Sequence, residues 1–212
     1  MANTDWAFGF APYGNVLRAN YYAIVTAPTI NIMQNDIVGV EGVLRLTPAM
    51  GYLPGLYVGA VPDGLFNLVG CVLALFDENM DPTRYIAVAE AGNGVIAGYA
   101  LVADHPNQEF VAREDFDTNA IDTTEGSNNA DMISVALCAG DTTTGISRQM
   151  IDSDTAATTD ALQLTLRGPH PNDVLLVADD TPGASSDEGA RWICTIRQHL
   201  YGNTANAAGA MA

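Results

Sequence analysis

The sequence predicts an all-β protein: a barrel or jelly-roll-like sandwich of about ten strands, with long acidic loops and an extended N-terminal arm. Three observations lead there. Apolar residues recur with period two or in short blocks. Glycine, proline, asparagine and aspartate cut those blocks off at short intervals. No segment holds helical spacing over the roughly ten to twelve residues a helix needs.

Residues 1–30 read as an arm and first strand. The arm carries Trp6, Phe8, Phe10, Tyr13, Tyr21 and Tyr22 among Gly9, Pro12 and Gly14. Aromatic rings without periodicity must be buried somewhere, and they are favoured interface anchors. These six are the candidate interface residues; packing of the arm on its own domain is the equal alternative. Y-Y-A-I-V-T at 21–26 reads as a strand before Pro28. Residues 31–116 form a first β subregion. Its strands are D-I-V-G-V (36–40), G-V-L-R-L-T (42–47), L-Y-V-G-A (56–60), L-V-G-C-V-L-A-L-F (68–76), R-Y-I-A-V-A (84–89) and V-I-A-G-Y-A-L-V-A (95–103). Pro48, Gly51, Pro54 and Gly55 interrupt it, V-P-D-G (61–64) and D-E-N-M-D-P (77–82) are turns, and Asn93-Gly94 is a hairpin signal.

A-L-V-A-D-H-P-N-Q-E-F-V-A-R-E-D, 100–115, puts four carboxylates and a histidine within twelve residues: Asp104, His105, Glu109, Glu114 and Asp115. Pro106 and Asn107 suit a turn, so the stretch reads as strand, turn, strand, with its polarity serving solvent or a neighbouring subunit. Phe110 and Ala112 face one way, and Glu109, Val111 and Arg113 the other. An acidic loop spans 117–131, and a second β subregion, of the same or a closely packed domain, spans 132–200. There I-S-V-A-L-C-A (133–139), A-L-Q-L-T-L-R (161–167), V-L-L-V (174–177) and R-W-I-C-T-I-R (191–197) read as strands. Asp154–Thr159 is open to helix, against the preference of its threonines. Residues 201–212 are a mobile or partner-bound tail.

Composition excludes several classes. Eight arginines and no lysine face 25 acidic residues, for a net charge of −17. Nucleic-acid phosphates repel such a chain, and its arginines do not cluster in sequence, so a nucleic-acid partner is not expected. The longest apolar block is too short to cross a bilayer, and M-A-N-T-D-W does not read as a signal peptide, so no membrane partner is expected. Cys71, Cys138 and Cys194 sit singly among apolar residues and read as buried thiols.

Catalytic and metal motifs fail one by one. His105, His170 and His199 have no ligand spacing. Asp152, Asp154 and Asp160 mimic a calcium loop, but Ala156, Ala157 and Gln163 stand where it needs an oxygen ligand, glycine and glutamate. There is no G-x-S-x-G, and without lysine no phosphate loop ending in Lys. No catalytic residue, cofactor or metal ligand is assigned, and no enzymatic activity is expected.

Five segments nevertheless form a pattern. D-W-A-F-G-F-A-P-Y-G-N (5–15) resembles the G-F-R-P-x-G start of small structural proteins encoded beside the major capsid protein in tailed bacteriophages. G-N-G-V-I-A-G-Y (92–99) resembles their glycine-bounded strand, and Y-A-L-V-A-D-H-P-N-Q-E-F-V-A-R-E-D (99–115) their V-x-x-A-D-D-P segment. T-T-T-G-I-S-R-Q-M-I-D-S-D-T-A-A-T-T (142–159) resembles T-x-x-G-x-S-x-x-x-L-D-x-S-T-x-A-T-T, and W-I-C-T-I-R-Q-H (192–199) resembles W-x-V-x-I-N-x-H. His105, Ala11 and Asp154 depart from the pattern, replacing Asp, Arg and Ser. The resemblance implies a capsid cement or decoration protein. Such a protein is made in the host cytoplasm and sits on the outer surface of the virion. There it binds the major capsid protein non-covalently as a homo-oligomer, a trimer being favoured. Another virion component (a fibre base or minor head protein) and a calcium- or carbohydrate-binding β-module are the alternatives.

Overall fold

A computed structural model describes residues 8–24, 31–57, 68–87, 96–115, 121, 129–132, 140–157, 162–172, 190–197 and 199–202. Trp6, the turn at 61–64, Asn93-Gly94, the segments 133–139 and 174–177, Cys138 and the tail beyond Gly202 lie outside them. Among the described residues every regular element is a strand. They are β1 (Ala11–Pro12), β2 (Ala19–Ile24), β3 (Ile32–Met33), β4 (Ile37–Thr47), β5 (Gly51–Tyr57), β6 (Leu68–Phe76) and β7 (Pro82–Thr83). Then follow β8 (Tyr85–Ile86), β9 (Gly98–Ala103), β10 (Glu109–Arg113), β11 (Asn129–Met132), β12 (Ile151–Ala157), β13 (Leu164–Pro169) and β14 (Arg191–Ile196).

Five strands close a barrel in the order β4-β5-β2-β9-β6, with β6 returning to β4 and β7 extending β6. A second, fully antiparallel sheet runs β1-β10-β14-β13-β11-β12. β3 and β8 pair separately. The long β10–β11 connection does not divide the fold, because β10 before it pairs with β14 far beyond it.

Two cores follow from this layout. Tyr22, Ile24, Val38, Val40, Leu56, Val69, Val72, Leu75, Ala100 and Val102 belong to one buried cluster, drawn from all five barrel strands. Leu68, Cys71 and Ala103 belong to a second, with Phe10, Phe110, Ala112, Leu164, Leu166, Trp192, Cys194 and Ile196 of the outer sheet and its flanks. β6 serves both cores, which explains its unbroken apolar run: a strand covered on both faces has no position for polar alternation. β10 alternates as expected, and β14 does so until Thr195, which is buried with its neighbours Cys194 and Ile196. At Gly70, with φ 153°, a Cβ would overlap the Ala103 carbonyl. Only glycine lets β6 approach β9 so closely.

Three local expectations change. G-Y-L-P-G is not a break but the first part of β5, paired with β4 from Thr47↔Gly51 to Leu44↔Pro54; only Pro48–Met50 turn. The two strands expected at 36–40 and 42–47 are one strand, shifted in register between Val40 and Leu44. The segment open to helix begins instead as strand β12, where pairing with β11 adds to the strand preference of its threonine. β11 itself begins at Asn129, inside the expected acidic loop.

Candidate functional site

Three buried carboxylates organise the interior, and segments 5–15 and 142–159 meet at the first, 99–115 and 192–199 at the second. At the first, Asp36 lies 2% exposed and accepts the Met33 amide at 2.6 Å and the Ser147 hydroxyl. Around it Phe10 N–H donates to the Asn35 carbonyl, Asn35 Nδ2 to the Phe8 carbonyl and Ser147 N–H to the Gln34 carbonyl. A Cβ on Gly9, at φ 72°, would press on Ser147 and Asn35. G-F of the arm and T-T-G-I-S thus grip the β3–β4 turn from both sides. At the second, Glu114 is 1% exposed and accepts the Ile121 amide at 3.2 Å, the Ala190 amide at 3.3 Å and Trp192 Nε1 at 3.1 Å. Burial pushes both carboxyls up to about 7, against the hydrogen bonds that favour the charge.

The third is Asp104, 1% exposed. Its Oδ1 accepts Arg18 Nε at 2.8 Å; its Oδ2 accepts Asn20 Nδ2 at 2.8 Å and the Tyr22 hydroxyl at 2.7 Å. Arg18 Nη2 also reaches the Asp104 carbonyl at 2.7 Å. Burial raises the pKa of this carboxyl, but the Asn20, Tyr22 and Arg18 hydrogen bonds and the Arg18 charge together outweigh burial and hold it below the usual range. Burial, with Tyr201 and Asp104 alongside, raises Tyr22 well beyond an ordinary phenol. Asp104 is therefore an ionised carboxylate with its lone pairs committed, a strut rather than a base. In D-H-P-N-Q, Asp104 and Gln108 face inward, while His105 is half-buried and Asn107 is exposed. Gln108, also 1% exposed, receives the Leu17 amide at 2.9 Å, and His105 Nδ1 receives the Asn107 amide within the turn at 3.1 Å. The turn clasps the incoming arm.

Tyr22 is a core residue and Phe10 is fully buried; both therefore pack on their own chain. Phe8, Tyr13 and Tyr21 are half-buried, Tyr13 edge-on to His170 with centroids 5.8 Å apart. Of the candidate interface residues, Tyr21 and Tyr22 line an open cleft of about 520 Å³ with Arg18, Asn20, Met50, Leu53, Pro54, Asp104 and Tyr201. Of the others, Phe10 and Tyr13 contact their own chain.

What the sequence did not single out is the surface around that cleft. The large apolar side chains left exposed among the described residues are Val16, Leu17, Leu44, Leu46, Met50, Tyr52, Leu200, Tyr201 and, elsewhere, Ile146. All but Ile146 gather at one end of the barrel. β2 begins there beside the end of β9, with Ala19 opposite Ala103, and Leu200 N–H bonds the Leu68 carbonyl at the start of β6. The β4–β5 hairpin projects from the same end, with Leu44 across from Pro54 and Leu46 across from Tyr52 on one face. Leu44, Leu46 and Tyr52 are 64%, 66% and 69% exposed. The other end carries the Asp77–Asp81 turn, with Glu78 and Asp81 exposed. His199 is buried beneath the apolar end; its Nδ1 accepts the Tyr201 amide at 3.0 Å, and burial lowers its pKa, keeping the ring neutral.

This end gathers exposed apolar side chains on a chain of charge −17. No group of three or more metal-ligating side chains occurs among the described residues. No family model, no curated protein and no solved structure matches the chain.

Proposed function

We propose that this protein is a structural component of a tailed-phage virion, a cement or decoration protein that stabilises the head by non-covalent contacts with the major capsid protein. In this reading it sits on the outer surface of the shell, in several copies that form a trimer, and catalyses nothing. Two things support it: the five motif segments spread over the chain, and the apolar barrel end. The apolar end carries the proposal. It offers Leu44, Leu46, Met50 and Tyr52 on a projecting hairpin, a shape suited to entering a groove on a larger surface. The excess of carboxylates leaves the rest of the molecule soluble and complementary to basic groups on a shell.

The test is cryo-microscopy of purified heads assembled with the wild-type chain and with Leu44→Glu/Leu46→Glu. Regular density on the shell that disappears with the double variant is expected. Density confined to the tail vertex would assign the protein to another part of the virion. Its absence from particles would overturn the proposal.

A further inference from the structure

The cleft at the apolar end exists because a strand pairing stops short. β2 and β5 run parallel, but among the described residues only Ala23↔Gly55 and Ile24↔Leu56 are in register. The next rung of a parallel ladder would need the N–H of residue 54 to reach the Tyr21 carbonyl. Residue 54 is proline and has no N–H. The two strands part there, and the cleft lined by Tyr21, Tyr22, Leu53 and Pro54 opens between them.

The direction of the free backbone groups on β2 follows from its other neighbour. Asp104 N–H bonds the Arg18 carbonyl and Ala97 N–H bonds the Ile24 carbonyl, so the even-numbered residues from Arg18 to Ile24 turn their backbone groups toward β9. Ala19, Tyr21 and Ala23 turn theirs the other way. Ala23 is served by β5; Ala19 and Tyr21 face the cleft, with no strand pairing on that edge among the described residues. The edge is only half-buried and has apolar walls on both sides, in Leu53 and Met50 opposite and Tyr201 at its mouth.

We infer that this gap is a slot for one extended segment of a partner polypeptide, which adds as a strand to the Ala19–Tyr21 edge of β2 and fits its side chains against Leu53, Met50 and Tyr201. A strand satisfies the N–H and C=O groups of Ala19 and Tyr21 as no globular surface can, and strand addition at an open edge is an established mode of peptide recognition. Pro54 blunts the facing edge, so the incoming strand has a single edge to pair with. The inference rests on the reading that this end of the barrel docks a partner, but not on the partner being a capsid protein.

The test is amide hydrogen exchange of the full chain, read by NMR at Ala19 and Tyr21. The probe is a synthetic hexapeptide of alternating threonine and valine, with the same peptide N-methylated at every residue as control. The Ala19 and Tyr21 amides should exchange fast in the free protein and slow by at least roughly tenfold with millimolar peptide, and not with the methylated control. Ala19→Pro, which removes one of the free donors at the first residue of the strand, should weaken the response at Tyr21. Amides already protected in the free protein at every concentration would mean that the chain fills its own slot. Protection that grows with protein concentration alone would give the slot to a second copy. Either result, or no response to the peptide, overturns the inference. The virion proposal is judged separately, by density on heads.

Discussion

Removing the Asp104 carboxylate should weaken the fold substantially, and the size of the loss can be worked out group by group. Asp104→Ala strips the acceptor from Arg18, Asn20 and Tyr22 together. Arg18, with 42% of its side chain exposed, and the exposed Asn20 regain water, so each contributes about 0.5 kcal/mol or less. Tyr22 is 2% exposed, and its hydroxyl would keep only the Tyr201 hydroxyl at 3.5 Å. A buried donor left in that state costs about 1–3 kcal/mol. The expected total is about 2–4 kcal/mol, read as a urea midpoint about 1 M or more lower with unchanged slope. Tyr22→Phe alone should cost about 1 kcal/mol, and in the double variant Asp104→Ala should cost correspondingly less, with a coupling of about 1 kcal/mol. A loss below about 0.5 kcal/mol for Asp104→Ala, or strict additivity with Tyr22→Phe, would refute the strut assignment.

Asp36 and Glu114 set the pH dependence. Each is raised to about 7 when folded, so between the unfolded carboxyl range near 4 and pH 7 the native chain holds protons that the unfolded chain has released. Their contribution to stability is complete below about pH 4 and is lost as pH rises through 7; the melting temperature should therefore fall from pH 5 to pH 8, and Asp36→Asn should flatten that slope in a calorimetric series. Asp104 acts in the opposite sense, its contribution being lost only as pH drops below the ordinary carboxylate range, outside that window. Gly70→Ala forces a Cβ into the Ala103 carbonyl at φ 153° and should leave little folded protein, as judged by circular dichroism. Leu44→Glu/Leu46→Glu changes only exposed positions and should move stability by no more than about 0.5 kcal/mol in urea while abolishing attachment to heads. Attachment that survives the double variant would remove the hairpin from the binding surface.

The amino-acid sequence by itself determined the fold class and many of the strands, because short-range alternation and turn residues are local properties. Leu164 and Leu166 inward, Trp192, Cys194 and Ile196 inward, and the whole of β6 follow from the pattern of residues alone. It also indicated that the D-H-P-N-Q stretch turns. What it could not decide was which way the polar groups of that turn face. A carboxylate reads the same in sequence whether water or Arg18 neutralises it, and Arg18 stands 86 positions away from Asp104. Period-two patterning likewise shows that Leu44 and Leu46 share a face, but whether that face meets a core depends on what packs above it, and both side chains remain exposed. The aromatic arm was ambiguous for the same reason: Phe10 is apolar and has no periodic neighbours, as an anchor would be, yet its ring lies in the core cluster shared by barrel and outer sheet. The cleft lies furthest from the sequence. Pro54 is visible as a missing donor, but only the parallel register of β2 against β5 places that gap opposite the Tyr21 carbonyl, on an edge with no strand pairing among the described residues.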